Sequence, residues 1–435
     1  MSLLETTELL ARDGGEKVIV DPIPYFGGGV GADCIDEEEI QAVTDVLRSK
    51  ALFRHNPNSQ VRAFEQEANA VLGVQNSLML NSGTSGLICA LYGLGIGPGD
   101  EVIVPAYTYI ATAAAVVAVG AVPIIAEIDT SLGLDPIDVE QKITPRTKAV
   151  IPVYMQGVPG RIFSLLEVAQ RHGLKVIEDC AQCIGGRYFG KMVGTLGDVG
   201  EWSFNYFKVL TCGEGGLVFT NNYEVYERAC FASDPALPMW MKDEQGQTSW
   251  HTPPFSANCY RPSEIIGAMA RVQLRKLEPI LAHTRSLKQA FLDEIEQAGE
   301  LRGFVLQHVD DPEGDCGISA ALICYTSELA KTYSVALKAE GLPCGTAHNA
   351  GFPDRHIYRY WDSVLEKASP HPSGYPWNDP LYLEKGGDAQ YDPEMCPQTL
   401  DILNRSLRFG FNMRMTIEHA RLMGRAVTKV DRLLQ

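Results

Sequence analysis

From Ser77 to Cys180 the chain alternates short apolar runs with helix-length patterns, and no other feature limits its fold so closely. The order is SLMLN, TSGLICALYGLG, EVIVPAYTY, ATAAAVVAVG, VPIIAEID, a helix near Pro136 to Ile143, KAVIPVY, a helix near Ser164 to His172, and KVIEDC. Such alternation predicts an α/β fold, a mostly parallel sheet with helices on both faces. Ahead of it, Asp36 to Leu47 carries apolar residues at Ile40, Val43, Val46 and Leu47 with acids in the first turn, the pattern of an amphipathic helix. A second such helix covers roughly Val61 to Leu72. Ala51 to Gln60, polar and aperiodic, reads as a loop.

Turn signals at Gly97-Pro98-Gly99-Asp100 and Gly213-Glu214-Gly215-Gly216 punctuate the pattern. Pro262 to Gln289 reads as one long helical stretch. Beyond Leu301 the character changes: strand-like LRGFVLQHV and ISAALICY, a helix over Ser327 to Glu340 and a last helix over Thr416 to Leu434 predict a smaller α+β domain. The expected division is a large domain at residues 1–290, with an N-terminal helical segment, and a small C-terminal domain at 291–435. Ala350 to Pro397, rich in Pro, Gly and aromatic residues, is an insert without readable period.

The 435 residues suffice for two or three structural units. Hydrophobic residues at 45% and charged residues at 21% are globular values that exclude a disordered or collagen-like chain. The net charge of −17 repels phosphate backbones and anionic lipid, so neither nucleic acid nor a membrane surface is an expected partner. The longest small-apolar run, Ala111 to Ala126, is interrupted by Gly120 and Pro123 and falls short of the roughly eighteen residues a membrane span needs. Met1 to Lys17 carries acids throughout and has no signal-peptide pattern, which makes the expected location cytoplasmic. Eleven cysteines scattered from Cys34 to Cys396 do not form a secreted disulfide framework and are expected to be mostly reduced and buried.

Several motifs do not carry the chemistry they suggest. Gly185 to Lys191 has P-loop spacing, but Met192 stands where a magnesium-binding hydroxyl belongs and no helix pattern follows. Cys180-Ala181-Gln182-Cys183 lacks a second CxxC or a His pair at finger spacing, so two packed thiols are favoured over a zinc or redox site. No metal site is expected. The Gly27 to Gly31 cluster does not fit the dinucleotide fingerprint.

Three other elements converge. Asn81-Ser82-Gly83-Thr84-Ser85-Gly86 joins a strand to a helix and offers hydroxyls and a positive helix end to an anion, although by itself it reads more readily as an ordinary N-cap. Val176-Ile177-Glu178-Asp179 delivers a carboxylate to the C-terminal edge of a strand, where open α/β sheets bind ligands. Ser203-Phe204-Asn205-Tyr206-Phe207-Lys208 places a lysine past another apolar run. An anion cup, a carboxylate and a lysine at sheet edges are what pyridoxal phosphate requires.

Along nearly its whole length the chain resembles the DegT/DnrJ/EryC1/StrS sugar aminotransferases. The likeness runs in order through DEEEIQAVTDVLRS, LNSGTSGL, GIGPGDEVIVPAYTYIATA, GAVPIIAEID, ITPRTKAVIPV, HGLKVIEDCAQCIGG, VGTLGDVGEWSF, the lysine with TCGEGG, and QLRKLE. The resemblance implies the type I PLP-dependent transferase fold and the cofactor pyridoxal 5'-phosphate, passing through pyridoxamine 5'-phosphate in the half-reaction. It further implies that Lys208 binds the cofactor covalently, Asp179 pairs with the pyridine nitrogen, Gln182 lies by the ring hydroxyl and Tyr109 stacks on the ring. Thr84, Ser85 and Ser203 would hold the phosphate. A lysine rather than a histidine at 208 favours transamination over sugar dehydration.

The chain also departs from that pattern. Aligning Asn258-Cys259-Tyr260-Arg261 on Arg261 puts Cys259 where relatives carry the Asn that reaches the partner subunit's cofactor, so Asn258 serves only after a one-residue shift. Tyr154 stands where His is usual, and Met239-Trp240-Met241 lies in a stretch without family pattern. Tyr154 and Arg261, a permanent cation suited to a donor carboxylate, are therefore the expected substrate-binding residues. The expected activity is amino transfer from L-glutamate or L-glutamine to a keto- or aldehydo-sugar or a keto-cyclitol, in a homodimer with shared sites. Dehydration or cyclisation of a sugar on the same scaffold, and a non-enzymatic sensor, are the rival readings.

Overall fold

The computed structural model describes residues 8–235, 241, 249–348 and 353–434. Met239 and Trp240 lie outside the described residues. Among the described residues seven strands form the large sheet: β1 (Asn76–Leu80), β2 (Glu101–Pro105), β3 (Val122–Ala126), β4 (Thr147–Val150), β5 (Lys175–Asp179), β6 (Val199–Ser203) and β7 (Gly216–Thr220). Their order is β1-β7-β6-β5-β4-β2-β3. Only β7 runs against the others, pairing antiparallel with both β1 and β6. The strands are buried on both faces, as their near-continuous apolar runs require.

The helices before the sheet begin where the sequence supplies caps. Asp36 closes a capping box with Glu39 at the start of the helix Glu37–Ser49, and Ser59 caps the helix Gln60–Leu72. The loop between them is anchored by Arg54, whose buried guanidinium pairs with Glu65 at 2.7 Å. A second sheet of β8 (Phe304–Leu306), β9 (Ser319–Cys324) and β10 (Ser406–Gly410) is antiparallel in that order. No helix among the described residues is long and apolar enough to cross a membrane.

The two sheets share one helix. Glu264–Gln297 buries Ala270, Leu274, Leu277 and Leu281 in the core of the large sheet, and Leu287, Phe291 and Ile295 in that of the small sheet. The expected division at residue 290 therefore falls inside a helix. Two segments also cross it. Leu10 and Ile19, grouped by sequence with the large domain, join the small-sheet core, and Glu340 accepts the N–H groups of Ala11 and Val18 there. The 353–397 part of the insert packs the other way, with Tyr358 and Trp361 in the large-sheet core and Trp377 and Tyr382 against Val122.

Candidate active site

A cavity of about 790 Å³ opens between the C-terminal edge of the large sheet and the small-sheet strand β10. Three chain segments build its floor. The first is the turn from β1 into the helix Gly83–Gly93, where Ser82 is the N-cap and its oxygen accepts the Ser85 N–H at 3.1 Å. The next amides, Gly83 and Thr84, have no acceptor within the helix, and both residues line the cavity with Ser82. Ser85 does not line it: its hydroxyl donates to Asn81 Oδ1 at 2.7 Å and lies 2.8 Å from that of Ser82. Ser82 thus stands on the wall that the sequence assigned to Ser85, because Ser85 is spent on the turn itself.

The second segment is the end of β5. Asp179 is buried, accepts the Ala181 N–H at 3.1 Å and the Thr112 hydroxyl at 2.9 Å, and lines the cavity. Burial raises its pKa, and these two hydrogen bonds and the charge of Lys208 oppose the rise. The third segment follows β6, where Ser203 and Lys208 reach the cavity. Burial lowers the Lys208 pKa against the pull of Asp179, Glu201 and Glu214, which favours a neutral amine. The lysine loop is held from below, since Gly29 and Gly31 donate their N–H groups to the Tyr206 and Lys208 carbonyls, each at 3.2 Å. That is the work of the N-terminal glycine cluster.

Gln182 lines the cavity and accepts the Gln156 N–H at 2.9 Å. Tyr109 is 50% exposed at the rim, its ring 5.3 Å from that of His356. The opposite wall holds residues that the sequence did not reveal. Arg408 on β10 donates to the Tyr107 hydroxyl at 2.6 Å, Gln156 donates to the same hydroxyl at 2.7 Å, and Ser319 donates to the Gln156 carbonyl at 2.9 Å. Nothing in Ser406-Leu407-Arg408 marked this guanidinium for a cavity shared with another domain. Glu201, on β6, also lines the floor.

Three expected residues lie elsewhere. Tyr154 is buried on the other face of the sheet and donates its hydroxyl to Glu178 at 2.6 Å, so the expectation that it touches substrate is corrected. Asn258 runs beside the helix Tyr223–Ser233, its N–H on the Ala232 carbonyl at 3.2 Å. Arg261 pairs with Asp234 at 3.0 Å and covers the Phe53 ring at 5.5 Å. Neither of the last two lines the cavity of its own chain.

The decoy motifs resolve into packing. Residues 185–191 lead into a two-residue hairpin of Arg187–Tyr188 with Lys191–Met192. Cys180 and Cys183 are buried and in no disulfide, with burial pushing both thiols up. No cluster of His, Cys, Asp and Glu among the described residues could hold a metal ion.

Residues 33–371 match the DegT/DnrJ/EryC1/StrS aminotransferase family. Among similar proteins is the UDP-N-acetyl-3-dehydro-alpha-D-glucosamine 3-aminotransferase of Acidithiobacillus ferrooxidans, 47% identical over 169 residues, 38% of this chain and 46% of that protein. The L-glutamine:2-deoxy-scyllo-inosose aminotransferase of Streptoalloteichus tenebrarius is 43% identical over 194 residues, 43% of this chain and 46% of that protein. The matched stretches thus span about half the length of these two relatives. The solved structure of S. venezuelae DesV superposes with a TM-score of 0.71 at 28% identity, covering 94% of this chain and 98% of that one.

Proposed function

The chain belongs to the DegT/DnrJ/EryC1/StrS aminotransferase family, and from that membership we propose that its cavity binds pyridoxal phosphate and transfers an amino group from L-glutamate or L-glutamine to a keto- or aldehydo-sugar or a keto-cyclitol. The observation that carries this reading is the meeting in one cavity of a helix-start anion cup, the buried Asp179 carboxylate and the Lys208 amine. The residues fit the cofactor. The amides of Gly83 and Thr84 and the hydroxyls of Thr84 and Ser203 suit a phosphate, and the cradle at Gly83 leaves no room for a β-carbon. Asp179 suits a protonated ring nitrogen, Gln182 a ring hydroxyl and Tyr109 a stacked ring.

When bound, pyridoxal phosphate supplies an electron sink for the pair left behind as a proton leaves the substrate carbon. The chain's own residues do the remaining work. Asp179, buried at the cavity floor, would as a carboxylate hold the ring nitrogen in its protonated form, the form in which the sink is deepest. Lys208 Nζ, whose charge burial disfavours, is placed to take a proton and return it. Arg408 offers the donor's carboxylate a guanidinium within the cavity, fixed by the Tyr107 hydroxyl. The names of the two relatives support glutamine as a donor and a sugar or cyclitol ketone as acceptor.

We place Asn258 and Arg261 at a partner's cavity in a homodimer, a reading supported by their position outside their own. A half-reaction tests the activity directly. Mixed with glutamate or glutamine and no acceptor, the yellow holoenzyme should convert to pyridoxamine phosphate with a matching loss of visible absorbance. No spectral change with either donor overturns the reading.

A further inference from the structure

The floor of the cavity holds a second acid beside Asp179. Strands β5 and β6 are parallel neighbours, and Asp179 and Glu201 are register partners across them. Directly paired residues on adjacent strands point to the same face of a sheet, and both of these line the cavity. Both are buried, Glu201 completely. Asp179 accepts from the Ala181 N–H and the Thr112 hydroxyl. Neither carboxyl oxygen of Glu201 receives an N–H or O–H from an ordinary donor among the described residues. Its charged neighbours are the Asp179 carboxyl and Lys208, and Lys208 in turn faces Glu214.

The site is shaped around this side chain. A β-carbon on Gly83 would lie 2.5 Å from Glu201 Oε1, and one on Gly86 would lie 2.8 Å from Glu201 Cγ. The two glycines of the anion cup therefore leave the space that Glu201 fills.

Two ionised carboxyls buried side by side repel each other, and one amine, itself disfavoured as a cation by burial, cannot neutralise both. One proton between them removes the repulsion and creates a hydrogen bond that two carboxylates cannot make. The proton belongs on the acid whose anion is worse supported. Among the described residues Asp179 has two donors and Glu201 has none, so Glu201 is the acid and Asp179 the anion. Burial pushes Glu201 well above the usual carboxylate range and the Asp179 charge pushes it further, in agreement with that order. An uncharged Glu201 also suits its place under the cup, where a second negative charge would oppose a phosphate.

We propose that Glu201 is a positioning residue of this site, a neutral carboxylic acid that donates its proton in a hydrogen bond to Asp179 and so keeps Asp179 ionised and fixed in orientation. The proposal deepens the reading of Asp179 as partner of the cofactor's ring nitrogen and takes its consequence for catalysis from it. A third donor on Asp179 offsets part of the penalty that burial places on its charge. Protonated Asp179 could not hold a ring nitrogen in its cationic form.

The test uses the full-length chain with and without pyridoxal phosphate. Infrared difference spectra of wild type against Glu201→Gln and Glu201→Met should show a protonated-carboxyl C=O band that shifts in D2O, present in the wild type and missing from both variants. Should one variant fail to fold, the other carries the subtraction, since neither holds an acid at 201. Glutamine keeps an N–H donor, so Glu201→Gln should preserve cofactor affinity and the pH profile of the bound cofactor's visible band. Methionine removes the donor: affinity should fall about tenfold and the acid limb of that profile should move to higher pH. A wild type without the band, or a Glu201→Met profile and affinity equal to wild type, overturns the proposal. The band is measured without cofactor as well, so it stands or falls apart from the transamination assay. A missing half-reaction with the band intact defeats the functional reading alone.

Discussion

The hydroxyl of Tyr154 donates to Glu178 at 2.6 Å, deep in the layer between the large sheet and the helix Ile162–His172. Glu178 also accepts the N–H groups of Gly194, Leu196 and Gly197 at 2.8, 2.7 and 2.6 Å, so one buried carboxyl ties Tyr154 to the loop entering β6. Side chains alternate along extended chain. Glu178 and Tyr154 therefore share one face, and Asp179, Val153 and Met155 share the other, which is the cavity face. Tyr154→Phe should accordingly lower stability by about 1–2 kcal/mol, the effect of leaving a buried acceptor short of one donor. KM for both substrates should stay within about twofold, because no contact to either is lost. Chemical denaturation and steady-state kinetics read the two halves, and a KM raised about tenfold at unchanged stability would return Tyr154 to the substrate.

Lys208→Ala should abolish turnover and leave the fold intact. On the proposed reading the covalent hold on the cofactor and the proton relay rest on one nitrogen, and no other lysine among the described residues lines the cavity. The purified variant should lose the yellow colour of the covalently held cofactor and keep a wild-type far-ultraviolet spectrum. Retained activity would remove Lys208 from the chemistry.

Asp179→Asn keeps the shape of the residue and removes its charge. On the proposed reading the ring nitrogen would lose the carboxylate that favours its protonated form, so kcat should fall about a hundredfold or more while cofactor still binds through the cup. Equilibrium dialysis of the cofactor and single-turnover rates separate these effects. A near-normal rate would mean that another acid serves the ring.

How much of this could be read in advance depended on periodicity. The stretch from β1 to β5 was legible because strand and helix repeats differ, and Asp179 and Lys208 were legible because each ends or follows a strand at the edge where such sheets bind ligands. Tyr154 was misplaced because the loop after β4 gives no way to tell which of two adjacent residues faces the cavity. Arg408 was invisible because it enters from a different sheet, more than two hundred residues along the chain from Asp179. Glu201 did leave a mark, an acid between Gly200 and Trp202 in the middle of a buried strand. The insert had no period to read: it is held by Trp377 and Tyr382 packing on Val122, contacts that only the folded chain brings together.

His348 provides a test by pH. Its ring bonds Asn404 through Nδ1 and the Tyr360 hydroxyl through Nε2, each at 2.9 Å, and burial lowers its pKa from the ordinary 6.5. The unfolded chain then binds this proton more readily than the folded one, so the contribution of His348 to stability is complete above pH 6.5 and is lost as pH falls below it. His348→Gln, which cannot titrate, should flatten the decline of stability on the acid side of that value. Denaturation midpoints of both proteins from neutral pH downward check this, and parallel curves would show that His348 keeps its proton equilibrium on folding.

The last prediction concerns Arg261, which pairs with Asp234 and covers Phe53 outside its own cavity. If the segment from Asn258 to Glu264 completes a partner's site, Arg261→Ala and Lys208→Ala should each be inactive alone. A mixed dimer is different in kind. One of its two sites takes Lys208 from the Arg261→Ala subunit and Arg261 from the Lys208→Ala subunit, and is intact; the other lacks both. Activity should therefore return on mixing, up to about a quarter of wild type: random exchange makes half of the dimers mixed, and each has one working site of two. Subunit exchange is verified separately with a size or affinity tag on one variant. If exchange occurs and activity does not return, Arg261 acts inside its own chain, through Asp234, and the shared-site reading fails.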